Sequence, residues 1–404
     1  MIKKNNIKVN FATYNCLNNQ LNKKLFAKYN KVLENILKAI NNPKSIYNIL
    51  NEKYNFNFKL KDLKKFNNFK NIVIIGMGGS ILGSEAIYYF LRNKIQKNLF
   101  FFDNLNPEEI AEFKRKKLKN TLYIIISKSG NTLETLTNLV ALKIIKKNKK
   151  NIIFISEKKN NTLFNISKKF KLFFIEHKSH IGGRYSVLSE VGMIPAYLMG
   201  LSLLKIRKNL KKFFVGKNKN DLLNGSTKLA DIFLNKKYSS IVFLNYFPQL
   251  EKFLLWYQQL LAESLGKKGR GLLPTVSTVP KDHHSLLQLY LDGPKDKIFF
   301  IFSRDEKNTT KLYSNNLVGQ IKYLNNKSIE RVKIAQKKAL VQSLKNKKIP
   351  FREFKVNETN EETIGELFSY FILETSIIGR LININPFNQP AVEEVKIYTN
   401  KLLK

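Results

Sequence analysis

From Asn71 onward the chain repeats one unit: a short β-branched run, a turn of glycine or small hydroxyl residues, then apolar residues at helical spacing. The first copy is Ile72 to Ile75, the turn Gly76 to Ser80, and Ile81 to Leu91. The second is Leu122 to Ile126, the turn Ser127 to Thr132, and a helix from Leu133 to about Lys146, with Asn151 to Ile155 as a further strand. Strands separated by helices pair in parallel, because a parallel neighbour needs a crossover, and the crossovers cover both sheet faces. A Lys-rich, weakly patterned stretch from Lys205 to Asn220 reads as a junction, after which the pattern restarts. Ser239 to Asn245, Lys297 to Phe302 and Phe351 to Val356 read as strands. Gln249 to Ser264, Ile329 to Leu344 and Glu361 to Leu381 read as helices, the first with the stripe Phe253, Leu254, Tyr257, Leu260 and Leu261. The expected fold class is therefore α/β, with two lobes, residues 69–210 and 221–384, each a parallel sheet flanked by helices. A helical arm over residues 1–68, with Leu25, Val32, Leu33, Ile36 and Leu37 at helical spacing, reads as peripheral and without chemistry. A C-terminal segment over 385–404 carries a helix from about Val392.

Length supports this division, since 404 residues at about 150 per domain allow two to three domains. Disorder is excluded by a 43% hydrophobic content that includes 30 Phe and 17 Tyr. The net charge of +41 raises nucleic acid as a partner. Yet lysines fall in almost every segment, for example Lys146 to Lys150 and Lys337 to Lys348, alongside heavy use of Asn, Ile and Phe. That spread reads as compositional drift of surface positions, with no specific nucleic-acid partner expected. It draws small anions and gives salt-sensitive sticking. One cysteine, Cys16, makes no internal disulfide, which points to a reducing cytoplasm. The first 20 residues hold no apolar stretch of signal-peptide length, the first arginine is Arg92, and apolar runs break well before about 18 residues, so neither a leader nor a membrane span is expected.

The two turns are where chemistry is expected. Ligands of open α/β sheets gather at the carboxyl ends of strands, where helix N-termini offer free N–H groups and positive dipole ends. Gly76, Gly78 and Gly79 allow close backbone approach, Ser80 can cap the next helix, and Ser127, Ser129 and Thr132 place hydroxyls around Lys128. Neither nucleotide fingerprint fits. Either turn alone is compatible with a plain tight connection; in tandem they favour a phosphate. His177 and His180 form an HxxH with no further ligands beside it, which reads as exposed loop histidines rather than a metal site.

The runs Ile74-Ile-Gly-Met-Gly-Gly-Ser80 and Ser127-Lys-Ser-Gly-Asn-Thr-Leu-Glu-Thr135 resemble the phosphosugar-binding turns of the sugar isomerase (SIS) superfamily. Four further segments are similar to the glucose-6-phosphate isomerase family. They are Gly182-Gly-Arg-Tyr-Ser186, Leu260-Leu-Ala-Glu-Ser264 with Gly266, His284-Ser-Leu-Leu-Gln288, and Pro386-Phe-Asn-Gln-Pro-Ala-Val-Glu-Glu-Val-Lys396. All six stand in the family's order and cover the chain from about residue 70. The resemblance implies two SIS-type lobes and a cofactor- and metal-independent aldose–ketose isomerase acting on glucose 6-phosphate and fructose 6-phosphate, in glycolysis and gluconeogenesis, through a cis-enediolate. Such a reaction needs a carboxylate base, a cation at the developing oxyanion and an acid/base pair that opens the ring.

Glu263 matches the base; near the end of an apolar helix, burial would raise its affinity for the proton. Arg184, after Gly183, matches the cation, a task for which a permanently charged fork of donors suits better than lysine. Without the resemblance, Glu263 reads as a surface residue at a helix end and Arg184 as one solvated cation among 71 basic residues. The phosphate falls to Ser80, Ser127, Ser129 and Thr132 with the backbone of Gly79 and Lys128. The resemblance further implies that His284 opens the ring from the neighbouring subunit of a homodimer with shared active sites, that Glu134 orients it, and that Lys396 assists. The chain departs from the family's usual pattern in three places. The second turn reads Ser-Lys-Ser-Gly-Asn-Thr, His283 precedes the ring-opening histidine, and Pro390-Ala391 precedes the final Val-Glu. The chain is also short for the family, which reads as trimmed loops and tail. A bifunctional phosphoglucose/phosphomannose isomerase and a non-catalytic phosphosugar-binding regulator are the alternatives.

Overall fold

The computed structural model of the protein describes residues 7–12, 22–304, 310–315 and 317–403; Cys16 lies outside them. The β-branched and aromatic runs form strands β1 (Ile7–Ala12), β2 (Asn71–Ile75), β3 (Asn98–Phe102), β4 (Thr121–Ile126), β5 (Ile152–Ser156) and β6 (Phe173–Glu176). The later ones are β7 (Ser240–Asn245), β8 (Leu273–Thr278), β9 (Lys297–Ser303) and β10 (Phe351–Val356). One sheet has the order β3-β2-β4-β5-β6 and is parallel throughout. The other has the order β1-β10-β9-β7-β8, parallel except for the edge strand β1. The expected α/β architecture, two parallel sheets flanked by helices, is what the chain forms.

Alternation along the strands divides the interior. Ile72 and Ile74 of β2 enter a large core that also takes Ile241 and Phe243 of β7, whereas Val73 and Ile75 face an outer cluster with Phe154. Val242 and Leu244 face a third cluster behind the second sheet. The large core therefore lies between the two sheets. It is filled by the helices Leu82–Phe90, Glu251–Leu265 and Glu361–Leu381, the last buried along nearly its whole length. Strands buried on both faces must be uniformly apolar, which is why β2 and β5 read as continuous hydrophobic runs.

Three local expectations are corrected. The N-terminal segment is not a peripheral helical arm. Ile7–Ala12 pairs antiparallel with β10, and the helix Lys23–Ile40 buries Leu25, Tyr29, Leu33, Ile36 and Ile40 in the shared core. The Lys-rich junction is mostly structured. Ile206, Leu210 and Phe213 are buried, and Gly216–Asn235 is a helix of 20 residues. The helix that begins at Leu133 stops at Ala141, short of Lys146, and Lys143 has a left-handed φ of +53°. That last feature recurs. Among the described residues, eleven non-glycine positions have φ between +43° and +68°, and every one is Lys or Asn, as at Lys236 just past the 216–235 helix.

Two contacts join the elements without tolerance. A Cβ at Gly365 would lie 1.8 Å from the Ile206 carbonyl oxygen, so the long helix and the former junction touch backbone to backbone. On β10, Arg352 is 1% exposed and pairs with Glu374 at 2.7 Å, while the Tyr257 hydroxyl donates to the same carboxylate at 3.4 Å. Gly365→Ala is expected to destabilise the chain by about 3 kcal/mol or more through backbone collision. Glu374→Ala, which removes a carboxylate paired at 2.7 Å with a buried guanidinium, is expected to cost about 3–5 kcal/mol. Urea unfolding of each variant reads both; a midpoint equal to the parent's would contradict the packing described.

Candidate active site

The turns after β2 and β4 lie at the carboxyl ends of neighbouring strands. The first turn forms a short 3-10 helix, Gly78–Ser80, with Gly78 at φ +52°, a conformation glycine adopts freely. Ser80 does not cap the following helix, contrary to expectation. The N-cap position falls on Ile81, which leaves the Ser80 hydroxyl available to a ligand. In the second turn Ser127 Oγ accepts from the Gly130 amide at 3.1 Å and lies 2.8 Å from Thr132 Oγ1. Ser129 Oγ accepts from the Asn131 amide at 3.2 Å and lies 3.5 Å from Thr132 Oγ1. Three hydroxyls thus share one turn. Lys128 between them has its pKa pushed down, first by burial and then by Lys159 and Arg184, against the opposing pull of Glu157 at 3.8 Å. Glu134 stands in the first turn of the next helix.

Gly79 presses the first turn onto the arginine loop. A Cβ there would fall 2.2 Å from the Gly183 carbonyl carbon and 2.4 Å from the Arg184 nitrogen. Arg184, on the 3-10 helix Gly183–Leu188, is only 3% exposed. Its Nε donates to Ser264 Oγ at 2.9 Å, and one terminal nitrogen donates to Glu263 Oε2 at 3.1 Å and to Gln389 Oε1. The other donates to the carbonyls of Pro386 at 2.7 Å and Asn388 at 3.1 Å. Behind it, Trp256 Nε1 donates to the Arg184 carbonyl at 3.2 Å.

Glu263 sits in the last turn of the Glu251–Leu265 helix. It is not the buried group the sequence suggested, for its side chain is 28% exposed. Two bonds hold it, since Oε2 accepts from Arg184 and Oε1 accepts from Gln259 Nε2 at 2.9 Å. Gln259 in turn lies under the first turn, where a Cβ on Gly78 would come within 2.6 Å of its Nε2. Glycine turn, Gln259, Glu263, Arg184 and Gln389 therefore form one connected chain of contacts. Gln259 and Gln389 were not singled out in the sequence. The first carried a usable signal, being four residues before Glu263 and so on the same helix face; the second lay inside a quoted segment without a role.

Two of the expected site residues make no hydrogen bond or ion pair with this cluster. His284 closes the short turn Lys281–His284 and is exposed, while its neighbour His283 bonds the Tyr246 hydroxyl at 2.8 Å. Lys396 is exposed on the helix Glu393–Leu402, which buries none of its residues, and its ammonium pairs with Glu393 at 2.6 Å. The HxxH reading also needs correction. His177 is buried, not exposed, its pKa is pushed down to about 4 by burial, and its Nδ1 lies 3.0 Å from the Lys178 carbonyl. No group of His, Cys, Asp and Glu among the described residues could hold a metal, and no described helix is long and apolar enough to cross a membrane.

Residues 59–404 match the family described as Phosphoglucose isomerase. A glucose-6-phosphate isomerase of Methanocaldococcus jannaschii is 35% identical over 367 residues, 85% of this chain and 87% of the relative. One of Mycoplasmopsis synoviae is 31% identical over 351 residues, 80% of each. In fold, a hypothetical protein from Thermus thermophilus superposes with a TM-score of 0.81 at 24% identity, covering 94% of this chain and 97% of its own. A glucose-6-phosphate isomerase from Chlamydia trachomatis superposes with 0.69 at 18% identity, covering 95% and 74%. With the match spanning β2 to β10, both turns and the Arg184–Glu263 pair, the chain belongs to the phosphoglucose isomerase family, whose members are aldose–ketose isomerases.

Proposed function

We propose that the chain interconverts glucose 6-phosphate and fructose 6-phosphate, as a cytoplasmic enzyme of glycolysis and gluconeogenesis. The observation that carries this reading is the Arg184–Glu263 pair, a buried guanidinium 3.1 Å from a partly open carboxylate, beside a turn of three hydroxyls. The phosphate is held by Ser80, Ser127, Ser129 and Thr132 and by the backbone of Gly79, Lys128 and Gly183. Glu263 takes the proton from C2 of the opened aldose. The electron pair of that bond forms the C1–C2 double bond, and charge builds on the C1 oxygen of a cis-enediolate. The same carboxyl returns the proton to C1 while the C2 hydroxyl passes its own proton to the C1 oxygen, leaving a hydroxyl at C1 and the ketone at C2. Arg184 neutralises the transient oxyanion from a site where its charge is little screened.

Ring opening needs a separate acid/base pair, for which His284 and Lys396 are proposed, with Glu134 orienting the histidine. Both are exposed and make no hydrogen bond or ion pair with the cluster, and the reading includes a homodimer in which the partner supplies the histidine. A second reading, activity on mannose 6-phosphate as well, is favoured by the Ser-Lys-Ser-Gly-Asn-Thr turn, which follows the broader superfamily.

Glu263→Gln keeps the helix and the Gln259 contact but cannot carry a proton. Its kcat is expected to fall about 100- to 10,000-fold with KM held near the parent's. Equal turnover in parent and variant on glucose 6-phosphate would overturn the assignment. Ser127→Ala, by contrast, is expected to raise KM about tenfold, the loss of one bond to an anion, with a smaller effect on kcat. A coupled assay with glucose 6-phosphate and mannose 6-phosphate, with and without chelator, distinguishes the two readings, and activity is expected to survive chelation.

A further inference from the structure

The guanidinium that faces Glu263 owes its orientation to a turn more than 200 residues away. Three of its five acceptors, the Pro386 and Asn388 carbonyls and Gln389 Oε1, belong to the stretch 385–389. Everything after that stretch, from Pro390 through Leu402, buries no residue, so the stretch is the last point at which the described C-terminal segment is tied to the body. Its ties are few. The Tyr185 hydroxyl donates to the Pro386 carbonyl at 3.1 Å, and the Phe387 ring meets Tyr47 and Tyr185 edge to face at 5.5 and 5.2 Å. Arg380 also stacks over the Phe387 ring, 5.4 Å from its centroid, and a further polar tie comes from Lys267. It follows Gly266, where the Glu251–Leu265 helix ends, and lies four residues past Glu263. Its ammonium donates to the Asn385 carbonyl at 2.6 Å and to Asn388 Oδ1 at 3.1 Å, bridging both ends of the turn.

We infer that Lys267 is a positioning residue for the isomerisation: by clamping the Asn385–Asn388 turn against the end of the Glu263 helix, it holds Gln389 on Arg184 and fixes the angle at which the guanidinium meets the catalytic carboxylate. The inference rests on the assignment of Arg184 and Glu263 made above. The charged groups that face Lys267 are Arg184 and Glu263, with Lys268 and Arg270 on its own loop; the stretch 385–389 carries none. Burial foremost, then Arg184, lower its pKa to about 8, with Glu263 opposing. The clamp is therefore charge-assisted below about pH 8 and reverts to ordinary neutral bonds, roughly half as strong, above it.

The sign of the linkage separates this from unfolding. A lysine whose folded pKa lies below its unfolded value binds fewer protons folded than unfolded between the two, so its contribution to stability rises with pH across that window. A clamp that weakens above pH 8 must lower turnover without lowering the melting temperature. Lys267→Met is expected to lower kcat about tenfold with KM within a factor of two, and to abolish the parent's alkaline fall in kcat centred near pH 8. Lys267→Arg is expected to keep kcat within threefold while moving that fall above pH 10. Hydrogen exchange of the 385–391 amides, which needs no turnover, is expected to quicken about tenfold in Lys267→Met and in Asn388→Ala. If Lys267→Met fails to fold, Lys267→Arg and Asn388→Ala still decide the matter. Unchanged 385–391 exchange in Asn388→Ala, or in a folded Lys267→Met, overturns the clamp, as does an alkaline fall in kcat that Lys267→Arg leaves in place. A parent protein inactive on both hexose phosphates overturns the functional reading instead, and the exchange data remain to judge the clamp alone.

Discussion

Burying a guanidinium is expensive unless its donors are answered, and Arg184 makes five hydrogen bonds to groups from two other parts of the chain. Ser264 and Glu263 come from the end of a core helix, Gln389 and two carbonyls from a C-terminal turn, and the arginine itself from a loop behind two glycines. None of these segments is adjacent in sequence, so the charge can be satisfied only when the lobes and the tail have all docked. The same network that makes the arginine tolerable in the interior also leaves one of its terminal nitrogens aimed at a carboxylate that is still open to solvent on its other side.

Docking of that kind demands a rigid frame. The two sheets share one core, so the turns at the ends of β2 and β4 and the helix bearing Glu263 are positioned by the same packed interior. Gly79 against Gly183 brings the first glycine turn to within van der Waals contact of the arginine loop, a spacing that no side chain could occupy. Gln259 closes the remaining gap between the first turn and the carboxylate.

How much of this could be read from the residues depends on whether the signal was local. Strands β2, β7, β9 and β10 and the helix Glu361–Leu381 were legible because they are buried throughout or evenly patterned. The helix Gly216–Asn235 was not, since its lysines, asparagines and glycines mask the few positions that pack, among them Leu222, Leu229 and Phe233. Strand β1 carried a local signal that went unread, the alternation Ile7-Lys8-Val9-Asn10-Phe11, but not its place at the edge of the second sheet, antiparallel to β10. In the candidate site, Glu263 and Arg184 stood out only through the motifs around them, and nothing in their spacing reveals that one would grip the other. Lys267 and Gln389 were invisible for the same reason, because their meaning comes from a carbonyl or a guanidinium brought near by the fold.

The eleven left-handed Lys and Asn residues carry a consequence of their own. Left-handed backbone costs a residue with a Cβ on the order of 1 kcal/mol relative to glycine, somewhat less for asparagine. Spread over eleven helix ends and turns, the total is on the order of 5–10 kcal/mol, comparable with the whole net stability of an ordinary domain. The drift toward lysine and asparagine has thus reached past the solvated skin into the chain's own torsions, and each of these positions is one where glycine would relieve the backbone.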